Sequence, residues 1–461
     1  MRRLLLAALL VPLFTACTLT PDYERPELDV PDDFRDTAPP GETIANVDWW
    51  DLFQDDQLDL LIRTALEENK DLGIALSRIQ EARLTVTAVR ANQFPFLNVE
   101  ASGGRARESR ELVPGARSDD QFLLAGDLTY QVDLWGEFRR GTEAARAELL
   151  ASEFAYSNIN IKLVSEVARN LLLFRDKDER FAISQRTVLT RLQSLEIIQA
   201  RFDKGTVPEL DVFQAQIEVA VAEAAVATFQ RQVTQTENAL RILLGRNPGP
   251  VTRGDTLATQ VFPPNIPAGL PSELLQRRPD VVQAEANLMA ATARVGIAEA
   301  LRYPSISLTG RYGAVSTDLS DLNSGDAETW SIGTNILAPI FNSGQLKAQA
   351  EVARERAEQA ALAYEGTLQQ SFREVEDALV AVRTYKEENE AQTRRAAAAR
   401  NAARLSRARY DGGVVDYLEV LDTERTLFNA ELEQTQTLQL YYTAIVRLYA
   451  ALGGGWSVEE R

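Results

Sequence analysis

The chain has 461 residues, a formal net charge of −18, no histidine and a single cysteine. That length allows a sizeable core in about two or three domains, and the composition is globular rather than disordered. The acidic balance argues against nucleic-acid partners and docking on anionic lipid. The missing imidazole removes Ser-His-Asp and Cys-His catalysis and the usual zinc sites, leaving only carboxylate or lysine chemistry to an enzyme.

Arg2 and Arg3 precede a short apolar run, Leu4 to Phe14, and then Thr15, Ala16 and Cys17. A basic start, a short apolar stretch and small residues before a cut site read as a secretory signal over residues 1–16. Phe14-Thr15-Ala16-Cys17 resembles a bacterial lipobox, in which Cys17 becomes the first mature residue and carries acyl chains. An ordinary signal peptide with a chance cysteine is the alternative. Two or more acyl chains anchor stably where one does not. Thr18 rather than Asp follows the cysteine, which by lipoprotein sorting rules favours the outer membrane. Residues 17–54 then read as a lipidated tail, with Trp49, Trp50 and Phe53 as its anchors or as ordinary core. Beyond Cys17 no run of about 18 apolar residues is evident, so a membrane crossing would have to be a β-barrel.

The remainder repeats itself. Arg201-Phe202-Asp203-Lys204-Gly205 matches Arg409-Tyr410-Asp411-Gly412-Gly413, and Leu244-Gly245 matches Leu452-Gly453 at the same offset. Gly136-Glu137-Phe138-Arg139 matches Gly344-Gln345-Leu346-Lys347. Upstream, Phe94-Pro95 matches Tyr303-Pro304 with one residue of slippage. We read a tandem duplication, residues 55–250 and 272–456. The linker 251–271 follows Asn247-Pro248-Gly249-Pro250 and contains Pro263-Pro264, and residues 457–461 form a tail.

Each repeat reads helix, strand, strand, long helix, shorter helix. In repeat one the strands lie near 94–134, the long helix at 136–202 and the shorter at 209–245. In repeat two they lie near 303–340, 344–410 and 416–452. Leu124, Gly126, Leu128, Tyr130 and Val132 alternate with Ala125, Asp127, Thr129 and Gln131. Ile306, Leu308, Gly310 and Tyr312 alternate with Ser307, Thr309 and Arg311. About ten residues of such alternation suits a strand with lipid on one side and water on the other, and equally a half-buried soluble strand. The helices decide between them. Each proline-free run would extend near 100 Å at about 1.5 Å per residue. Val212, Val219, Val226, Val233 and Leu240 recur every seven residues, with Ala215, Ala222, Phe229, Thr236 and Leu243 at the d spacing. That seam packs against a partner helix, with Gln214, Glu218, Gln232 and Gln235 on a water-facing wall. Both repeated turns look like helix ends. Gly205 suits a left-handed cap, Pro208 a first turn, and Glu209 and Asp211 complement the next dipole; Gly412, Gly413 and Asp416 do the same. Four strands cannot close a membrane barrel, so copies must join; three copies leave a channel.

The chain resembles the outer membrane factor family, the TolC/NodT/OprM-type export ducts. The resemblance rests on Cys17 with Pro21-Asp22-Tyr23-Glu24-Arg25-Pro26, on Trp49-Trp50-Asp51-Leu52-Phe53, on Arg277-Arg278-Pro279-Asp280, on the two Arg-aromatic-Asp turns and on Ala451-Leu452-Gly453-Gly454-Gly455-Trp456. It implies a mixed α and β membrane protein: a homotrimer with a twelve-stranded outer-membrane β-barrel, four strands per chain. A twelve-helix periplasmic α-barrel continues it, with a small α/β equatorial belt. It further implies a passive, non-enzymatic duct of a tripartite efflux system. The partners would be a periplasmic adaptor, an inner-membrane pump of resistance-nodulation-division (RND) type and outer-membrane lipid, with no metal and no cofactor beyond the lipid on Cys17. The tip residues Arg201, Asp203, Gly205, Arg409, Asp411 and Gly413 would meet the adaptor. Asp211, Tyr410, Asp416, Glu419 and Asp422 would form the periplasmic gate, although as N-terminal helix residues these acids also read as serving the dipole. Val415 departs from the pattern, standing where some relatives place a gate arginine. A duct for type I protein secretion and a periplasmic coiled-coil adaptor are the alternatives.

Overall fold

The computed structural model describes residues 22–35, 53–109, 111–112, 114–115, 117–260 and 271–454. In chain order the described elements are α1 (Asp56–Glu68), α2 (Lys70–Ala91), β1 (Phe96–Ala106), β2 (Asp119–Val132), α3 (Glu137–Asp203), α4 (Glu209–Leu243), α5 (Leu274–Arg277), α6 (Pro279–Ala300), β3 (Ser305–Ser316), β4 (Glu328–Leu337), α7 (Gln345–Asp411) and α8 (Tyr417–Ala451). Helices α3 and α7 each have 67 residues, α4 and α8 each 35, and α2 and α6 each 22. The first helix of repeat one is split, not single. Asn69 leaves the helix at ψ 133°, and its side chain accepts from the Asp71 and Leu72 amides and so starts α2. Arg278 divides α5 from α6 at the corresponding place.

Two compact units form. The first gathers Met1–Glu27, Arg78–Glu153 and Gln283–Glu365, and the second Leu28–Ser77, Phe154–Val282 and Gly366–Arg461. The first holds a four-stranded antiparallel sheet in the order β1-β2-β3-β4. Its register sets Leu97 opposite Leu128, Tyr130 opposite Leu308 and Tyr312 opposite Trp330, which collects the apolar side chains on one face. That face remains exposed at Leu97, Val99, Leu128, Tyr312, Trp330 and Ile332. On the other face Arg311 spans three strands, bonded to Asp127 at 2.6 and 3.0 Å and to Glu100 at 2.5 Å.

The second unit holds the main core. Leu58, Ile62, Val167, Leu171, Phe174, Leu240, Val375, Ile445 and Leu448 meet there, and Phe53 stacks edge-on against Tyr449. The buried Arg175–Asp55 pair (2.5 Å) fixes the start of α1 against α3. Arg175 also donates to Gln260, which donates in turn to the Phe53 carbonyl, so the chain after α4 is tied to the same point. The repeated Leu-Gly pairs have a steric origin. Gly245 and Gly453 close α4 and α8 with φ of 69° and 73°. A Cβ on Gly245 would sit 2.1 Å from the Glu68 carbonyl oxygen, and one on Gly453 2.9 Å from that of Arg277. Beside these approaches Asn69 donates to the Leu243 carbonyl and Arg278 to that of Ala451.

The heptad seam of α4 is buried at Val212, Ala215, Val219, Ala222, Phe229, Val233, Thr236 and Leu240. Two expectations need correction. Glu218 is not on a solvent wall but buried, because two arginines neutralise it. Helix α4, alone among the described helices, is long and apolar enough by composition to cross a membrane. The excess is an exposed stripe, Leu210, Phe213, Ile217 and Val221, on one side of the helix, while another side packs along the seam.

Candidate functional site at the paired helical tips

The two repeated turns meet in the second unit. At the first, the Gly205 amide donates to the Phe202 carbonyl and Thr206 to Arg201, with Gly205 at φ 70°. At the second, Gly413 donates to Tyr410 and Val414 to Arg409, with Gly413 at φ 72°. Each glycine takes the left-handed conformation that lets a carbonyl-satisfying cap close without a Cβ clash. The next helices start differently. Pro208 caps α4 with no side-chain bond, whereas the Asp416 carboxylate accepts from the Glu419 amide at the start of α8.

An apolar plug joins the turns: Ile198, Val212, Ala215, Tyr410, Tyr417, Val420 and Leu421, with Phe202, Val207 and Val415 against them. Tyr410 is buried and stacks on Tyr417 at 5.5 Å, while the Arg201 guanidinium lies 4.5 Å over its ring. The Tyr410 hydroxyl is buried and has no hydrogen-bond partner among the described residues. Arg201 reaches Asp411 at 4.0 Å, Arg409 pairs with Glu419 at 2.8 Å, and Gln199 donates to Asp203. Asp422 is exposed and forms no ion pair among the described residues. Burial, and then the nearby charge of Asp416, push the Asp211 carboxyl above the ordinary aspartate range. Val415 packs in the plug, an apolar contact in place of a charge. Cys17, Trp49, Trp50, Gly455 and Trp456 lie outside the described residues.

Sequence reasoning missed a charged layer next to the plug. Glu218 on α4 accepts from Arg191 on α3 at 3.0 Å and from Arg425 on α8. Arg191 and Glu218 are 4% and 7% exposed, and Arg191 also faces the Phe428 ring at 5.1 Å. Beside them Arg407 bonds Ser194 at 2.7 Å and approaches Glu424 at 3.5 Å. Burial pushes the Glu424 carboxyl up despite the pull of Arg407, and lowers the Arg191 guanidinium despite Glu218. The available signal was position. Glu218 immediately precedes the seam residue Val219, where a charge pairs across the interface rather than facing water.

This geometry is a pair of helix hairpins joined by an apolar cluster and backed by buried charge. Among the described residues no grouping of acids suits a metal ion. The family model for outer membrane efflux protein matches the chain twice, over residues 61–246 and 270–454. The outer membrane protein OprJ of Pseudomonas aeruginosa is 36% identical over 465 residues, covering 98% of this chain and 95% of the relative. The solvent efflux pump outer membrane protein SrpC of Pseudomonas putida is 35% identical over 454 residues, and the cation efflux system protein CusC of Escherichia coli O157:H7 35% over 450, each covering 96% of both chains. Among solved structures, the open-state MtrE outer membrane channel of Neisseria gonorrhoeae superposes with a TM-score of 0.87 at 31% identity. It covers 95% of this chain and 98% of that one. CusC superposes with a TM-score of 0.84 at 32% identity, covering 95% and 100%.

Proposed function

The chain belongs to the outer membrane efflux protein family, and from that premise we propose that it is the passive outer-membrane duct of a tripartite efflux system, built from three copies. The observation that carries the reading is the sheet. Four strands with an exposed apolar face and open edges at β1 and β4 are stable in lipid only if other copies complete a closed barrel. Three chains then supply twelve strands around a water-filled lumen faced by Glu100, Asp127 and Arg311. The exposed stripe Leu210, Phe213, Ile217 and Val221 supplies an apolar seam through which neighbouring helices close a periplasmic twelve-helix tunnel. The 251–271 linker contributes to a belt around it.

In this reading Cys17 carries the acyl chains that hold the 17–54 tail to the outer membrane. The tips at Arg201–Gly205 and Arg409–Gly413 receive a periplasmic adaptor, and an inner-membrane pump of RND type supplies the energy. The gate is the plug and its acids, Asp211, Tyr410, Asp416, Glu419 and Asp422. Opening requires the two hairpins to separate at the Arg201–Tyr410 and Arg201–Asp411 contacts. The cargo is small toxic molecules, the class named for the solvent efflux relative. The test is deletion of the gene with growth scored against dyes, bile salts, antibiotics, organic acids and metals. Purified protein is then added to planar bilayers. Sensitivity restored by the intact gene, and discrete conductance from a three-chain species, are expected. A water-soluble monomer without conductance refutes the reading.

A further inference from the structure

Glu285 lies on α6 in the first unit, and its side chain is 5% exposed. A buried carboxylate needs a charged partner or several donors. Among the described residues no other residue of its own helix or its helical neighbours pairs with it. Its partners come from the N-terminal tail, 260 positions earlier. Arg25 donates through Nε at 2.7 Å and through Nη2 at 2.5 Å, a two-pronged fork on both carboxylate oxygens. The Tyr23 hydroxyl donates to the same carboxylate at 3.1 Å. Burial, and then the Glu285 charge, hold the Tyr23 phenol well above its usual range, so it remains a donor. Tyr364 is buried close by, and its phenol is raised by burial and by Glu285. One step earlier, Asp22 accepts from Arg140 at 2.9 Å, in the first turn of α3.

We propose that Asp22, Tyr23 and Arg25 form a clamp that docks the N-terminal tail on the first unit, with Glu285 as its buried receptor, and so sets where the anchor is held. The anchor itself rests on the lipoprotein reading above; the clamp does not. The body supplies a site that only the tail satisfies, so tail and body fold as one piece. The geometry has a consequence for Cys17. It precedes Asp22 by five residues, a reach of at most about 18 Å. Arg140 lies just after the turn between β2 and α3. The clamp therefore fixes the start of the described tail at the first turn of α3, and Cys17 can lie no farther from that point than this reach. Tyr23 and Arg25 are positioning residues for that anchor.

The test is hydrogen–deuterium exchange with mass analysis on the full-length trimer in detergent, with the mass of the N-terminal peptide read from the same samples. In the parent protein the amides around 22–27 should exchange more slowly than those of a free chain, and free-chain rates there would overturn the clamp. Glu285→Gln keeps the shape and removes the charge; exchange there should rise at least tenfold while α6 itself stays protected. Arg25→Ala should do the same and also lower the yield of trimer, because the buried carboxylate then keeps only the neutral Tyr23 donor among the described residues. The double variant Arg25→Ala/Glu285→Gln should recover the yield but keep the fast exchange. Slow exchange at 22–27 in all three variants overturns the clamp. So does a double variant with the same yield as Arg25→Ala, since the loss would then not come from an orphaned Glu285. A protected tail whose first peptide lacks acyl mass leaves the clamp standing and refutes the lipid anchor instead.

Discussion

Removing the Glu218 carboxylate tests whether buried charge holds the tips together. Glu218→Ala leaves Arg191, 4% exposed, without its carboxylate partner; among the described residues it keeps the Glu218 backbone carbonyl, the Phe428 ring face and the more distant charge of Glu424. Breaking a buried pair by deleting one partner costs about 3–5 kcal/mol, because the other charge stays desolvated. Arg425 is 47% exposed and returns to water, so its share is at most about 1 kcal/mol. Glu218→Ala should therefore lower the temperature at which the trimer dissociates far more than Arg425→Ala does. Replacing both buried partners, as Arg191→Leu/Glu218→Leu, should restore the midpoint to near or above that of the parent, since an apolar pair carries no desolvation cost. The assay is heating in detergent followed by separation of trimer from monomer. Equal midpoints for Glu218→Ala and Arg425→Ala refute the reasoning, as does a double variant no better than Glu218→Ala.

Three further outcomes are expected. Burial raises the Glu424 carboxyl above its ordinary 4.5, so its neutral form is favoured in the folded state. Its contribution to stability is present below 4.5 and is lost as pH rises through the shifted value. Glu424→Gln should therefore melt above the parent at about pH 8, with the gap closing toward pH 4.5; a gap that does not change with pH refutes the assignment. Gly205→Ala and Gly245→Ala impose a similar left-handed strain of about 1–2 kcal/mol. Only Gly245 has a carbonyl oxygen 2.1 Å from the new Cβ, whereas Gly205 faces open space. The second substitution should thus block assembly where the first only lowers the midpoint, as trimer yields will show. Arg311→Gln removes the one cation of the Glu100–Asp127–Arg311 group. In planar bilayers under a salt gradient, the reversal potential should move toward greater cation preference; an unmoved potential means that this face does not line the pore.

How much the sequence disclosed followed from backbone geometry. Strand alternation was legible because a strand puts successive side chains on opposite faces, and the register keeps Leu97, Leu128, Gly310 and Ile332 in one row. The helix ends were legible because only glycine fits at Gly205 and Gly413 without strain. The break at Asn69 was not, since an Asn inside a helical pattern announces nothing until its side chain finds the Leu243 carbonyl. Glu218 misled for a related reason. A charge beside a heptad seam looks solvated until Arg191 and Arg425, remote in sequence, are brought to it by α3 and α8.

The duplication explains which residues persisted and which diverged. Where two backbones approach within contact, at Gly245 and Gly453, the residue is the same in both repeats, because any Cβ would collide. Where a side chain merely satisfies a helix end, Asn69 in one repeat and Arg278 in the other do the same task, so identity was free to drift. The tips follow the same logic and end unequal. Helix α8 starts with Asp416 bonded to the Glu419 amide and with Glu419 held by Arg409. Helix α4 starts at Pro208 without a side-chain cap, and its Asp211 carboxyl is burdened by burial and by the charge of Asp416. A cap bond contributes about 1 kcal/mol, so the second tip is the more firmly fixed of the two. Moving a cap onto the first tip, as Pro208→Asp, should stiffen α4 at its start and lower the open probability of the channel in planar bilayers. An open probability unchanged by that substitution means the first tip is not the movable part.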